Sequence, residues 1–138
     1  MAFLVSQRRR RGGALVEAAF VLPLLALLTF GLIEYGWLFM KANQVTYAAR
    51  QGARTASLPN ATNATVLQSV ASQMTQAGLG ASGYTVTLTP LNVSTVSAGE
   101  TVRVEISLPY SAVALTGGSL VPVPPTLSGS VAMSKEGS

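Results

Sequence analysis

The sequence ALVEAAFVLPLLALLTFGLIEYGWLFM, residues 14–40, is a long apolar stretch whose uncharged centre runs from Ala18 to Ile33. That centre rises about 24 Å as a helix, whereas the hydrocarbon core of a bilayer is about 30 Å thick, so a span must include some flanking residues. A buried helix of a soluble core would need other helices around its whole circumference, and the rest of the chain supplies none. The stretch therefore predicts one membrane-spanning helix.

Both flanks of this centre can extend the span. Apolar residues precede Glu17, and an aromatic cluster typical of a membrane interface follows Glu34, made up of Tyr35, Trp37 and Phe39. We expect the span to end near Met40, with the two glutamates near the two interfaces. A cleaved secretory signal is disfavoured, because its apolar region is shorter, about 7 to 15 residues, and is followed by small residues.

A block of four arginines, Arg8, Arg9, Arg10 and Arg11, stands directly before this stretch. The chain has a formal net charge of +4, and from Gly12 onward five basic residues balance five acidic ones, so the block carries the whole excess. It lacks the interleaved aromatic and amide residues of a nucleic-acid site, and we expect no nucleic-acid partner. The positive-inside tendency predicts a cytoplasmic N-terminus and places everything after Met40 outside the cytoplasm.

The composition disfavours most enzyme classes. The 138 residues include no Cys, His or Asp, which excludes disulfides and thiol or imidazole chemistry from the chain's own side chains. An enzyme would have to use serines or residues such as Glu100, Glu105, Tyr84 and Tyr110 without an imidazole or aspartate partner. We therefore expect no catalytic residues, no metal site and no cofactor.

The helix is predicted to continue outside the membrane as far as Ser57. Small residues recur there at three- and four-residue spacing, and Ala48, Gly52 and Ala56 form a flat face that favours close packing against another helix. Arg50 and Arg54 lie on the polar side, either facing an acidic partner or simply solvated. The sequence Leu58-Pro59-Asn60 ends the helix.

The remaining residues, 58–138, predict a small outer domain of mixed secondary structure. Residues 63–77 have the spacing of a second helix, with Val66, Leu67, Val70 and Met74 on its apolar face. Alternating apolar and polar residues predict strands near 84–89, 102–108 and 127–133, with 93–96 as a candidate continuation of the first strand past a bulge. An irregular Gly- and Pro-rich connection is predicted before the third. The fold class is thus α+β, a long helix followed by a small helix and an antiparallel sheet. So small a sheet needs cover from the long helix or from neighbouring subunits.

The N-terminal block resembles the signature of TadE-like proteins, pseudopilin components of tight-adherence (Flp) pilus systems. The resemblance rests on a basic leader, a glycine pair before Val16-Glu17, Pro23 within the apolar stretch, the exit Tyr35-Gly36-Trp37 and the run AARQGAR from residue 48. It is strong over residues 9–57. It is looser over VRVEISLPYSAVAL and VAMSKE near the end, and absent from residues 58–83.

This resemblance implies a type IV pilin-like protein of the bacterial cytoplasmic membrane, cleaved by a prepilin-type peptidase and assembled with other pilin-like proteins. Cleavage after Gly12 removes a leader of residues 1–12 and makes Glu17 the fifth residue, and cleavage after Gly13 is the lesser variant. The alternative is a membrane-tethered binding module with an uncleaved anchor. The mature N-terminus distinguishes the two.

Overall fold

A computed structural model describes residues 6–117 and 121–137, with side chains from Gly12 onward. The long helix, α1, spans Ser6–Ser57 without a break. It ends where the sequence predicts, just before Pro59. The predicted roles of the side chains of Arg8 to Arg11 lie outside the described residues.

The second helix, α2, spans Asn63–Gln76. Thr62 caps its N-terminus, because its hydroxyl accepts a hydrogen bond from the backbone of Thr65 while the Thr65 hydroxyl accepts one from the backbone of Thr62. Val66, Val70 and Met74 are buried as predicted, whereas Leu67 is exposed.

Three strands form one antiparallel sheet in the order β1-β2-β3. They span Thr85–Thr89, Thr101–Pro109 and Thr126–Ser134. β1 does not extend through residues 93–96, and that expectation was wrong. Val93–Thr95 form a short 3-10 turn, because the side chain of Asn92 accepts hydrogen bonds from the backbone and hydroxyl of Ser94.

The core lies between the sheet, α2 and the outer half of α1. The inward-facing residues of β2, Val102, Val104, Ile106 and Leu108, are buried against this half of the helix. Val45, Ala49 and Ala53 contribute from α1. The helix therefore provides the cover that so small a sheet requires, and the α+β prediction is confirmed.

β2 and β3 are joined by an irregular connection, as predicted. Its described part begins with a 3-10 turn, Tyr110–Ala112, and returns toward the inner part of α1 before β3 starts. We call its described residues, 110–117 and 121–125, the collar. Val121 of the collar lies against α1 as far down as Gly31.

Candidate functional site

The inner half of α1 has the properties of a membrane anchor. Within Gly12–Ser57 an 18-residue window has a mean hydropathy of 2.2, and none of that window is buried against the rest of the described chain. Large apolar side chains are exposed around the helix, among them Phe20, Leu22, Leu24, Leu25, Leu27, Leu28, Phe30 and Leu32. An apolar surface of this extent is unsuited to water, so the segment fits a single membrane crossing.

The three residues predicted to specify processing lie at the start of the part of this helix whose side chains are described. Gly12, Gly13 and Glu17 are all exposed. A Cβ atom added to either glycine would meet nothing within 4 Å, so no other described part of the chain covers this point. Gly13 and Glu17 are four residues apart, which is about one helical turn.

The small-residue face of the outer half of α1 has a different partner from the one expected. Ala48, Gly52 and Ala56 are buried, and a Cβ on Gly52 would lie 2.6 Å from Cγ2 of Val70 and 3.2 Å from Cγ1 of Val104. The face is therefore covered by the chain's own α2 and β2 and is not free for a helix of another subunit. The periodicity correctly marked a closely packed face, but it carries no information on which chain packs there.

The exposed side of the outer half of α1 carries Asn43, Tyr47, Arg50 and Arg54, which we call the outer stripe. Their spacing of three to four residues places them on one helical face. A groove of about 490 Å³ adjoins the stripe where α1 passes the end of α2, lined by Met40, Asn43, Gln44, Tyr47, Gln73, Gln76 and Ala77. The Oε1 atom of Gln44 is buried there without a hydrogen-bond partner.

A buried carboxylate joins the membrane helix to the collar. Glu34 is 1% exposed, and one of its oxygens accepts a hydrogen bond of 2.6 Å from the hydroxyl of Tyr110. The other oxygen accepts hydrogen bonds from the backbone N–H and the hydroxyl of Thr116, at 3.1 and 2.8 Å. Three uncharged donors thus satisfy the carboxylate at the point where α1 leaves the apolar stretch.

Tyr110 remains a hydrogen-bond donor over the whole neutral range. Burial raises the pKa of its phenol to about 12, and the hydrogen bond to Glu34 and the charge of Glu34 act in the same direction. The hydrogen bond between Tyr110 and Glu34 is therefore not lost by ionisation of the Tyr110 phenol near neutral pH.

The aromatic cluster after Glu34 is only partly a free interfacial belt. The Trp37 indole donates a hydrogen bond of 2.7 Å to the carbonyl of Val113, and the Tyr35 hydroxyl donates one of 2.7 Å to the carbonyl of Pro122. Lys41 lies over the Trp37 ring, 4.7 Å from its centroid. Phe39 is 64% exposed and Tyr35 is 40% exposed, whereas Trp37 is half-buried. The sequence did not reveal that the collar binds this part of the helix.

The outer end of α1 is held by the last strand. Lys135 is buried, and its ammonium donates hydrogen bonds to the carbonyls of Ala56 and Val93 at 3.2 and 3.4 Å. The carbonyl of Ala56 belongs to the last turn of α1, where a cation is favourable. The backbone N–H of Glu136 donates to the carbonyl of Ser57. No sequence pattern predicts this role of Lys135.

Two carboxylates that an enzyme of this composition would have to use, Glu100 and Glu105, lie in a turn and on a sheet face. The carboxylate of Glu100 accepts a hydrogen bond from the backbone of Ser97 and closes a turn. Glu105 lies on the exposed face of the sheet, opposite Thr87 and Ser130. Among the residues that the structure describes, no group of His, Cys, Asp or Glu could hold a metal ion.

Together these features describe a protein with one candidate membrane span, whose small C-terminal α+β domain is built on the C-terminal half of the same helix. Over residues 12–54 the chain matches the family model described as TadE-like protein. This match confirms the resemblance seen in the N-terminal motif. It covers less than half of the chain, namely the anchor and most of the helix above it. No curated protein and no solved structure matches the chain.

Proposed function

We propose that this protein is a pseudopilin or minor pilin, a structural component in the assembly of tight-adherence (Flp) pili. The observation that carries the proposal is the exposed glycine pair followed by Glu17 at the start of an apolar helix, inside the TadE-like match at residues 12–54. The absence of Cys, His and Asp from the sequence is consistent with a structural component.

The glycine pair is suited to proteolytic processing. Glycine is about 1 kcal/mol less favourable than alanine in a helix interior, so two adjacent glycines make local unwinding easy. Nothing in the described chain shields Gly12 or Gly13 from a peptidase. We propose cleavage after Gly12 by a prepilin-type peptidase, which removes the arginine block and leaves Gly13 as the first residue.

Cleavage gives Glu17 a charged neighbour. The new α-amine has a reference pKa of about 7.7 to 8.0 and is largely cationic at neutral pH. A carboxylate costs about 2.5 to 3.5 kcal/mol at the membrane centre, so pairing with this amine, or with that of a neighbouring subunit, lowers the cost of drawing the helix out of the bilayer. Glu17 then also sets the axial register between subunits.

Neighbouring pilin-like subunits would pack on the outer stripe of α1 and not on the small-residue face. The small-residue face is occupied by α2 and β2, whereas Tyr47 of the stripe is 60% exposed. The groove adjoining the stripe is lined by Met40, Tyr47 and the end of α2, and it leaves room for a side chain of a neighbouring helix.

N-terminal sequencing of the mature membrane protein tests the processing step. In a strain with an active prepilin peptidase we expect a mature chain that begins at Gly13, and Gly12→Val should leave a full-length precursor. Gly13→Val is the matched control, because it should still be cleaved if the cut follows Gly12 and should be blocked if the cut follows Gly13. A mature protein that begins with Met1 or Ala2 would disprove the pseudopilin assignment.

The alternative is a membrane-anchored binding module with an uncleaved anchor. The groove of about 490 Å³ beside α1 is the observation that favours it. The same sequencing experiment distinguishes the two functions, because a binding module keeps its N-terminus in the peptidase-active strain. In that case Glu17→Ala should leave membrane attachment and ligand binding unchanged.

A further inference from the structure

The collar lies beside the part of α1 that approaches the membrane boundary. Cγ1 of Val121 is 3.4 Å from the position that a Cβ on Gly31 would take. The Tyr35 hydroxyl and the Trp37 indole bind the collar carbonyls of Pro122 and Val113. These contacts place the collar alongside helix positions 31–37.

The same positions mark the outer edge of the hydrocarbon layer. A layer of about 30 Å requires about 20 helical residues. Counted from Ala14, which includes Glu17 in the inner interface, the layer ends near Ile33. Counted from Ala18, it ends near Trp37. On either count Gly31 lies inside the boundary, so the collar residue next to it is at the depth of the lipid.

The composition of the collar suits this depth. The sequence contains no charged residue between Glu105 and Lys135, and the described collar is rich in valine, alanine and proline. Leu115 is 51% exposed, so about half of its apolar surface is left uncovered by the described part of the chain. Irregular backbone can approach lipid only where its polar groups are satisfied, and the side chains of Tyr35 and Trp37 satisfy two of the collar carbonyls.

The collar also shields the one carboxylate at this depth. Glu34 would be costly to expose to the outer part of the bilayer. Its two oxygens instead accept hydrogen bonds from Tyr110 and Thr116, both of which belong to the collar. A charge at the membrane boundary is thereby enclosed by uncharged protein groups.

From these contacts we infer that the collar is a second membrane-binding element, which seats the outer domain in the outer interfacial region of a lipid bilayer. The inference rests on the proposed membrane anchoring of α1 and adds a lipid contact made by the segment between β2 and β3. Leu115 is the side chain that enters the boundary between headgroups and acyl chains. The seated collar fixes the height and orientation of the outer domain above the membrane.

Fluorescent labels at single cysteines test this inference, since the natural chain has no Cys. Leu115→Cys places an environment-sensitive nitrobenzoxadiazole label on the collar. Leu91→Cys is the matched control, because Leu91 is 81% exposed and lies far from the anchor. It follows β1 near Val93, whose carbonyl shares the ammonium of Lys135 with Ala56 in the last turn of α1. Leu25→Cys reports on the anchor itself. The full-length protein is placed in phosphatidylcholine nanodiscs with nitroxide-labelled lipid as one quencher and aqueous iodide as the other.

We expect lipid nitroxide to remove most of the emission at positions 25 and 115 and little at position 91, with iodide showing the opposite order for 91 and 115. Equal iodide quenching at 115 and 91, with strong lipid quenching at 25, would disprove the lipid contact of the collar and leave the membrane anchoring of α1 supported. Absence of lipid quenching at 25 would disprove both the membrane anchoring of α1 and the lipid contact of the collar. Lipid quenching at 91 as strong as at 115 would also overturn the seated arrangement. Unchanged Trp37 emission in the Leu115→Cys protein before labelling verifies that the collar still packs on the helix.

Discussion

Tyr110 supplies the shortest of the hydrogen bonds to the buried carboxylate of Glu34. A hydrogen bond to a charged group contributes about 1.5 to 3 kcal/mol, and removing the donor leaves a buried acceptor lone pair unpaired. Tyr110→Phe should therefore lower the free energy of unfolding by about that amount, measured by urea denaturation in detergent micelles with Trp37 emission as the signal. Tyr47→Phe is the control, because the Tyr47 side chain is exposed, and it should change stability by less than about 0.5 kcal/mol.

The pH dependence of this difference provides a second readout. The pKa of Tyr110 is raised from 10.0 to about 12 in the folded protein, so folding favours the protonated phenol. The stability that this shift contributes is fully present below pH 10 and is lost as the pH rises through about 12. The stability gap between the natural protein and Tyr110→Phe should be constant from pH 7 to 9 and should shrink between pH 10 and 12. A gap that shrinks below pH 9 would contradict the assignment.

Contacts between α1 and the sheet depend on two glycines. A Cβ on Gly129 of β3 would lie 2.8 Å from Cα and 2.9 Å from N of Thr46, both backbone atoms of α1. At Gly52 the nearest atoms belong to the side chains of Val70 and Val104, which can shift. The strand and the helix can approach this closely only because both positions lack a side chain.

Alanine substitutions at Gly129 and Gly52 compare the stability cost of a clash with backbone atoms to that of a clash with side-chain atoms. Gly129→Ala and Gly52→Ala should both destabilise the fold, by about 1 to 3 kcal/mol for overpacking, and Gly129→Ala should cost more because α1 itself must move. Urea denaturation measures the order. Gly36→Ala is the control, since nothing lies within 4 Å of its Cβ position and alanine favours the helix. A Gly52→Ala protein less stable than Gly129→Ala would refute this explanation.

The helices and strands were largely predictable from the sequence, but the groups that pack against each of them were not. Alternation placed the strands, and helical spacing located α2 to within a residue. The spacing of Ala48, Gly52 and Ala56 identifies a packed face, but the same pattern fits a second subunit or the chain's own α2. Glu34 at the end of an apolar stretch indicates that some group must satisfy it. That group, Tyr110, is 76 positions away, and no local rule connects the two.

Assembly through the outer stripe can be tested separately from folding. Tyr47→Ala should reduce cross-linking to pilin-like partners several-fold, because Tyr47 provides the largest exposed apolar surface of the stripe. Stability should change by less than about 0.5 kcal/mol, since the side chain is exposed. Leu67→Ala on α2, also exposed but outside the stripe, is the control and should assemble normally. Normal cross-linking of the Tyr47→Ala protein would exclude the stripe as the interface.

The helix makes anchor and outer domain a single structure. The residues of α1 from Val45 to Ala56 line the core of the outer domain, and the collar returns to the helix at Glu34. Force or displacement applied to the anchor therefore reaches the sheet without an intervening flexible linker. Under the proposed function, a subunit drawn from the membrane by this helix would carry the outer domain with it, and the lipid contacts of the collar would have to break.

The charge that precedes the span predicts the direction of insertion. The excess positive charge of the sequence lies in Arg8 to Arg11, and the positive-inside tendency retains such a block in the cytoplasm. A reporter fused after Ser138 should therefore be active outside the cytoplasm. The measurement is best made in a Gly12→Val background, where the block stays attached. Replacing all four arginines with glutamine should reduce the orientation bias, whereas Arg50→Gln combined with Arg54→Gln should not, because both residues lie beyond the span on the outer stripe. A reporter active in the cytoplasm with the arginine block intact would reverse the proposed topology.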